Sequence, residues 1–179
     1  MKKEAIRKLV HFLGICYIPA YEILGREMFT IGLVTLVIVS ALFEILRMNH
    51  RLLPEILLRR YEKRGIGAHI YMFTGMLVIT LLFSKQACFA GVVCAIIGDG
   101  VAGIVKKTSA KPFSFIAMFL TSFATCLILG LNVLCSLFAC FFGALVEGVQ
   151  RFGRAYLNDN FSIPVVAAFS FTLCGKFLK

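Results

Sequence analysis

The feature that most constrains this chain is a series of long apolar runs almost free of charge. A helix crossing the hydrocarbon core of a bilayer needs about 20 consecutive, mostly apolar residues. Runs of that length recur from one end of the sequence to the other. Hydrophobic residues make up 60% of the 179 positions and charged residues only 16%, where soluble domains hold roughly 45–50% and about 25%. The pattern predicts an all-α, polytopic membrane helix bundle forming one transmembrane domain over 1–179. It excludes a disordered chain and an ordinary soluble globule.

Seven spans are expected. The first runs from about Ala5 to Leu24, the second from Met28 to Leu46, the third from Ile66 to Ser84 and the fourth from Gln86 to Val105. The run Pro112 to Val149 is too long for one helix, and Gly130-Leu131-Asn132 divides it into spans five and six. Span seven follows Asn160 and ends near Leu178. With a cytoplasmic N-terminus, fifteen Lys and Arg fall on the inner side and four (Arg26, Lys85, Lys176, Lys179) on the other. That asymmetry is the positive-inside pattern. The net charge of +10 is thereby explained by topology and by contact with anionic membrane lipids. No nucleic-acid motif accompanies it, so nucleic acid is not an expected partner. Lys2, Lys3, Arg7 and Lys8 before an apolar run resemble a signal peptide, but no small-x-small cleavage site follows, and an uncleaved first span is expected. Seven cysteines (16, 88, 94, 126, 135, 140 and 174) lie in apolar runs without CxxC or Cys/His spacing and read as small packing residues.

The longest connection, Arg47 to Gly65, places Leu53, Ile56, Leu57 and Tyr61 on one helical face and Arg59, Arg60, Lys63 and Arg64 elsewhere. It reads as an amphipathic segment (47–65) lying on the cytoplasmic surface.

Ionisable groups inside an apolar span are costly and mark function. Asp99 is the clearest, in Gly98-Asp99-Gly100, six residues before the inner end of span four and so about 9 Å deep. Glu147 ends span six, and Asp159-Asn160 precedes span seven. Asp159, Asn160 or Ser162 is expected to cap that helix, with Pro164 in its first turn. Three carboxylates from different spans thus share one face with Lys106, Lys107 and Lys111. Oxygen ligands for a hard cation beside ammonium groups for phosphate suit Mg²⁺ and a polyphosphate. Glu44 and Arg47, three apart at the end of span two, are placed to pair. His11 lies one turn from Arg7 and Lys8. Glu22, His50 and His69 receive no assignment.

Together these pieces resemble the CTP-dependent lipid kinases, a family comprising dolichol kinase, phytol kinase and CTP-dependent diacylglycerol kinase and related to the phosphatidate cytidylyltransferases. The matching residues are Arg7-Lys8-x-x-His11, Glu44-x-x-Arg47, Arg64-Gly65 with Tyr71 and Gly75, Gly98-Asp99-Gly100-x-Ala102, Glu147, and Asp159-Asn160 followed by Pro164. After the Gly-Asp motif, the stretch Ile104–Phe115 is short and lacks the family's acidic residue and glycines. The resemblance implies transfer of the γ-phosphoryl of CTP to the hydroxyl of a polyprenol, a phytol-like isoprenoid or diacylglycerol. In that reading Asp99, with Glu147 or Asp159, holds Mg²⁺. Lys106, Lys107, Lys111, Arg7 and Lys8, with Gly98 and Gly100, face the phosphates. Asp99 or His11 accepts the hydroxyl proton, while Glu44, Arg47 and Asn160 support the site. The small size fits a bacterial or archaeal inner or plasma membrane with the site on its cytoplasmic side. The alternatives are a cytidylyltransferase releasing pyrophosphate, a non-catalytic membrane scaffold and a small transporter.

Overall fold

The computed structural model describes residues 11–50, 66–106, 111–148, 151–152, 155–156 and 158–178. A short 3-10 turn, Leu13–Cys16, leads into α1, Tyr17–His50. Five more helical stretches follow: α2 (Ala68–Leu82), α3 (Lys85–Val93), a π-helical turn (Cys94–Gly98) continuing into α4 (Asp99–Val105), α5 (Lys111–Ile128) and α6 (Val133–Gly148). Two-residue strands β1 (Arg151–Phe152) and β2 (Ala155–Tyr156) then pair antiparallel, a hairpin the apolar pattern does not foreshadow. The chain closes with α7, Asp159–Phe177.

The helices occupy the predicted runs. Among the described residues, three stretches are long and apolar enough to cross a membrane: Leu13–Asn49, Lys85–Val105 and Asp159–Phe177. The described chain is accordingly a helical membrane protein. α2 and α6, at 15 and 16 residues, are shorter apolar helices. Of the amphipathic segment expected over 47–65, residues 47–50 end α1 and 51–65 lie outside the described residues.

Two glycines make the turns. Gly25 has φ +71 and ψ 166, a conformation open to glycine and strained for any residue with a Cβ. It breaks α1 into two arms, 17–24 and 26–50, which fold back on each other. The rings of Tyr17 and Phe29 stack edge-to-face at 4.7 Å, whereas twelve residues of straight helix would separate their backbones by about 18 Å. The predicted boundary between spans one and two falls on this break. Gly130, with φ +68, makes the equivalent turn between α5 and α6, where the division of the Pro112–Val149 run was expected.

Cross-helix contacts fix the two ends of the bundle. At one end Arg26 Nη2 donates to Leu81 O (2.8 Å), and Lys85 pairs with Glu22 (2.7 Å). At the other, Gly67 N donates to Glu44 Oε1 (2.8 Å), His11 reaches Ala95 O (3.0 Å) and Lys106 pairs with Glu147. The α3–π–α4 rod runs through the middle, with Val92, Val93, Cys94 and Ile96 fully buried. α7 packs against α6, α3 and α2. Small residues line these seams: Ala87, Ala90 and Gly91 on α3, Ala139, Cys140 and Ala144 on α6, Ala167 and Ala168 on α7. In lipid, where tails are as apolar as leucine, close backbone approach and internal hydrogen bonds hold helices together. One such bond runs from Tyr17 Oη to Thr80 Oγ1 (2.6 Å), since the Thr80 hydroxyl itself donates to Met76 O (2.7 Å). The outward face of the longer arm of α1 carries Ile31, Val34, Ile38, Leu42 and Ile45, as a lipid-facing helix must.

All seven cysteines are free thiols, six of them buried. Cys140 Sγ on α6 lies 3.8 Å from Cys94 Sγ and 4.0 Å from Cys126 Sγ, so three helices meet there around sulfur.

Candidate functional site

The predicted site residues within the described chain belong to the half of the bundle into which Glu44, His11 and Lys106 reach. Their individual situations differ sharply.

Asp99 is the carboxylate that sequence reasoning placed first, and the backbone beneath it is unusual. The five residues Cys94–Gly98 form a π turn, a widened turn in which one extra residue is accommodated, frequently at a functional site. Asp99 N–H donates to Cys94 O and Ile96 O, stepping past Ala95 O, its partner in a regular α-helix. Ala95 O instead faces His11 Nε2 at 3.0 Å, and the same nitrogen is 3.7 Å from Asp99 Oδ2. The Asp99 side chain keeps 27% of its surface accessible. Because a carbonyl only accepts, Nε2 carries the proton in this arrangement. The nitrogen turned toward Asp99 is thus the donor, and the expected acceptance of a hydroxyl proton by His11 would fall to its other ring nitrogen.

Gly98 and Gly100, which were expected to face phosphates, have protein atoms close to their Cβ positions. A Cβ on Gly98 would lie 2.1 Å from Ser122 Oγ and 3.0 Å from Met118 Cγ on α5. A Cβ on Gly100 would lie 2.6 Å from the Phe12 ring. These glycines let a helix and an aromatic ring approach the backbone closely.

Glu147 is 3% exposed and forms an ion pair with Lys106. A buried carboxylate requires such a partner, and the pairing joins the end of α4 to the end of α6. Lys106 therefore meets a carboxylate of its own chain. Lys111 opens α5. Arg7, Lys8 and Lys107 lie outside the described residues.

Asp159 is the first residue of α7, but the cap is Asn158. Its Oδ1 accepts from Asn160 N (3.1 Å) and from the Asn160 side-chain amide (3.2 Å). This replaces the expectation that Asp159, Asn160 or Ser162 is the cap. Ser162 Oγ donates to Asn158 O (3.1 Å). Pro164 sits inside the helix and not in its first turn, so Asn160 O lacks the N–H it would meet in an unbroken helix. That carbonyl lies beside Gly75 of α2.

Glu44 and Arg47 pair as expected, at 4% and 6% exposure. Arg47 Nε donates to Glu44 Oε2 (2.8 Å) and Nη2 to Oε1 (2.5 Å). Gly67 N completes the carboxylate's coordination, and His69 Nε2 stands 4.0 Å from Oε2. The cluster ties the end of α1 to the start of α2.

Mg²⁺ was expected on Asp99 with Glu147 or Asp159. Among the described residues no three His, Cys, Asp or Glu side chains gather to hold a metal, and Glu147 is engaged by Lys106.

Sequence reasoning missed the π turn, the Ala95 carbonyl, Phe12 and the position of His69. Asn158 was findable, as a strong capping residue directly before a helical run. The others depend on partners distant in sequence. No family model, curated protein or solved structure matches the chain.

Proposed function

We propose that this protein is an integral-membrane lipid kinase of the CTP-dependent kind, transferring the γ-phosphoryl group of CTP to the hydroxyl of a lipid alcohol. The observation that carries the reading is Asp99. It is a partly accessible carboxylate directly after the mostly buried Cys94–Gly98 turn of an apolar bundle, followed within twelve residues by Lys106, Lys107 and Lys111. Residues of this kind inside a membrane helix are costly and are kept for chemistry. The residue pattern of the lipid kinases described above supports the same conclusion.

In this proposal the chain has seven spans and a cytoplasmic N-terminus, and the Asp99 end faces the cytosol. The lipid hydroxyl enters from the leaflet and the nucleotide from water. Asp99 accepts the hydroxyl proton, the alcohol oxygen forms a bond to the γ-phosphorus, and the bond from that phosphorus to the β,γ-bridging oxygen breaks, releasing CDP. Phosphoryl transfer of this type depends mainly on positioning and charge neutralisation. Mg²⁺ enters as part of the nucleotide substrate, since it commonly keeps its waters and binds through one or two carboxylates plus phosphate oxygens. Lys107 and Lys111 are the cations proposed for the phosphates. The Glu147–Lys106 and Glu44–Arg47 pairs brace the surrounding helices.

The test is one assay. Purified protein in nanodiscs is given Mg²⁺, labelled CTP or ATP, and a panel of polyprenol, phytol-like and diacylglycerol acceptors. CDP together with a phosphorylated lipid supports the proposal. Pyrophosphate with a CDP-lipid identifies a cytidylyltransferase, and no transfer to any acceptor overturns both.

A further inference from the structure

Ala95 is 5% exposed, and the neighbouring N–H that would serve its carbonyl in an α-helix is turned to Cys94 O and Ile96 O. Buried backbone carbonyls in an apolar interior need a partner, because no water reaches them. His11 Nε2, at 3.0 Å, supplies one from a distant part of the chain. The π turn also decides where Asp99 points. One residue more or less in a helical turn shifts everything beyond it by about 100° around the axis.

We infer that His11 is a positioning residue: its Nε2–H holds the Ala95 carbonyl and so keeps the Cys94–Gly98 turn π-helical, with Asp99 presented beside the imidazole. Its consequence for catalysis rests on the kinase reading; its consequence for the backbone does not. A proton-carrying role for His11 needs a ring that gains and loses a proton. The positioning role needs only a donor at the reach of Nε2, which a glutamine amide also provides. Phenylalanine keeps the ring's bulk and removes the donor.

The experiment compares His11→Phe and His11→Gln in the full chain with two readouts. The first ignores activity. Asp99→Cys is introduced with Cys16→Ser, because Cys16 is the exposed native thiol, and the rate of modification by a charged methanethiosulfonate reagent reports how position 99 is presented. His11→Phe is expected to change that rate about tenfold, the equivalent of one hydrogen bond, and His11→Gln to return it to near the parent value. An unchanged rate in His11→Phe, or a change that His11→Gln does not reverse, overturns the inference. The second readout keeps Asp99 and measures lipid phosphorylation. His11→Phe is expected to lower kcat with little effect on the KM for CTP, and His11→Gln to restore it. Equal losses in the two variants would make His11 a proton carrier and overturn the positioning role. Absence of phosphorylation in the parent protein defeats the kinase reading alone, and the thiol rates still decide the inference.

Discussion

Lys106, at the end of α4, forms an ion pair with Glu147, whose side chain is 3% exposed while that of the lysine is 35% exposed. The two partners are unequal, and so are the consequences of losing either one. Removing the lysine strands a carboxylate in an apolar interior. Removing the carboxylate leaves a long cation that can reach water.

Lys106→Ala is therefore expected to destabilise the protein by about 3–5 kcal/mol, the range for breaking a buried pair, and Glu147→Gln by clearly less. Thermal unfolding in detergent measures both. The reverse order would mean that the pair is not what holds α4 to α6. A Glu147→Gln variant that folds normally yet loses all turnover would favour Glu147 as a metal-holding carboxylate.

Asp99→Asn keeps the shape of the side chain and removes its ability to take a proton. In the kinase reading it lowers turnover by roughly 100-fold or more, the range for positioned acid–base groups, with the unfolding midpoint close to that of the parent. Near-parental turnover would dismiss Asp99 as the proton acceptor.

Glu44 accepts bonds from Arg47 and from Gly67 N. Glu44→Ala leaves a buried guanidinium and a backbone N–H short of an acceptor, and is expected to cost about 3–5 kcal/mol. Glu44→Gln retains an oxygen for Gly67 N and should cost less. Equal midpoints for the alanine variant and the parent would show that the α1–α2 connection does not depend on this cluster.

Gly98 and Ser122 form a testable pair. Gly98→Ala puts a methyl 2.1 Å from Ser122 Oγ, and overpacking of this kind costs about 1–3 kcal/mol. The Ser122 hydroxyl is buried and has no hydrogen-bond partner among the described residues, so Ser122→Ala should be neutral or mildly stabilising. The double variant is expected to recover most of the loss. Full additivity of the two single changes would show that the clash lies elsewhere.

Much of the helix layout was legible because apolar run length and turn residues act locally. Gly130 with Leu131 and Asn132 divides one long run, and the gap at Gly25 separates two others, where the sequence places the boundaries. Asp99, Glu44 and Arg47 stood out because charge inside an apolar run is conspicuous by itself. The pairings were not legible in the same way. Nothing near Lys106 indicates that its partner is 41 positions further on at Glu147, and nothing near Ala95 reveals that its carbonyl meets His11. The glycines flanking Asp99 carried two compatible meanings, contact with a ligand or with another helix. The positions of Met118, Ser122 and Phe12 show the second of these. The π turn has no periodicity signature in a run that is apolar on every side.

The fold-back at Gly25 gives that glycine remote leverage. The shorter arm leads back to His11 at Ala95 O, and the longer arm ends in Glu44 at Gly67 N. Both anchors of the polar end thus hang from a single pivot at the opposite pole of the bundle. A side chain forced onto that backbone would change the angle between the arms and reach both anchors together, far from the substituted atom.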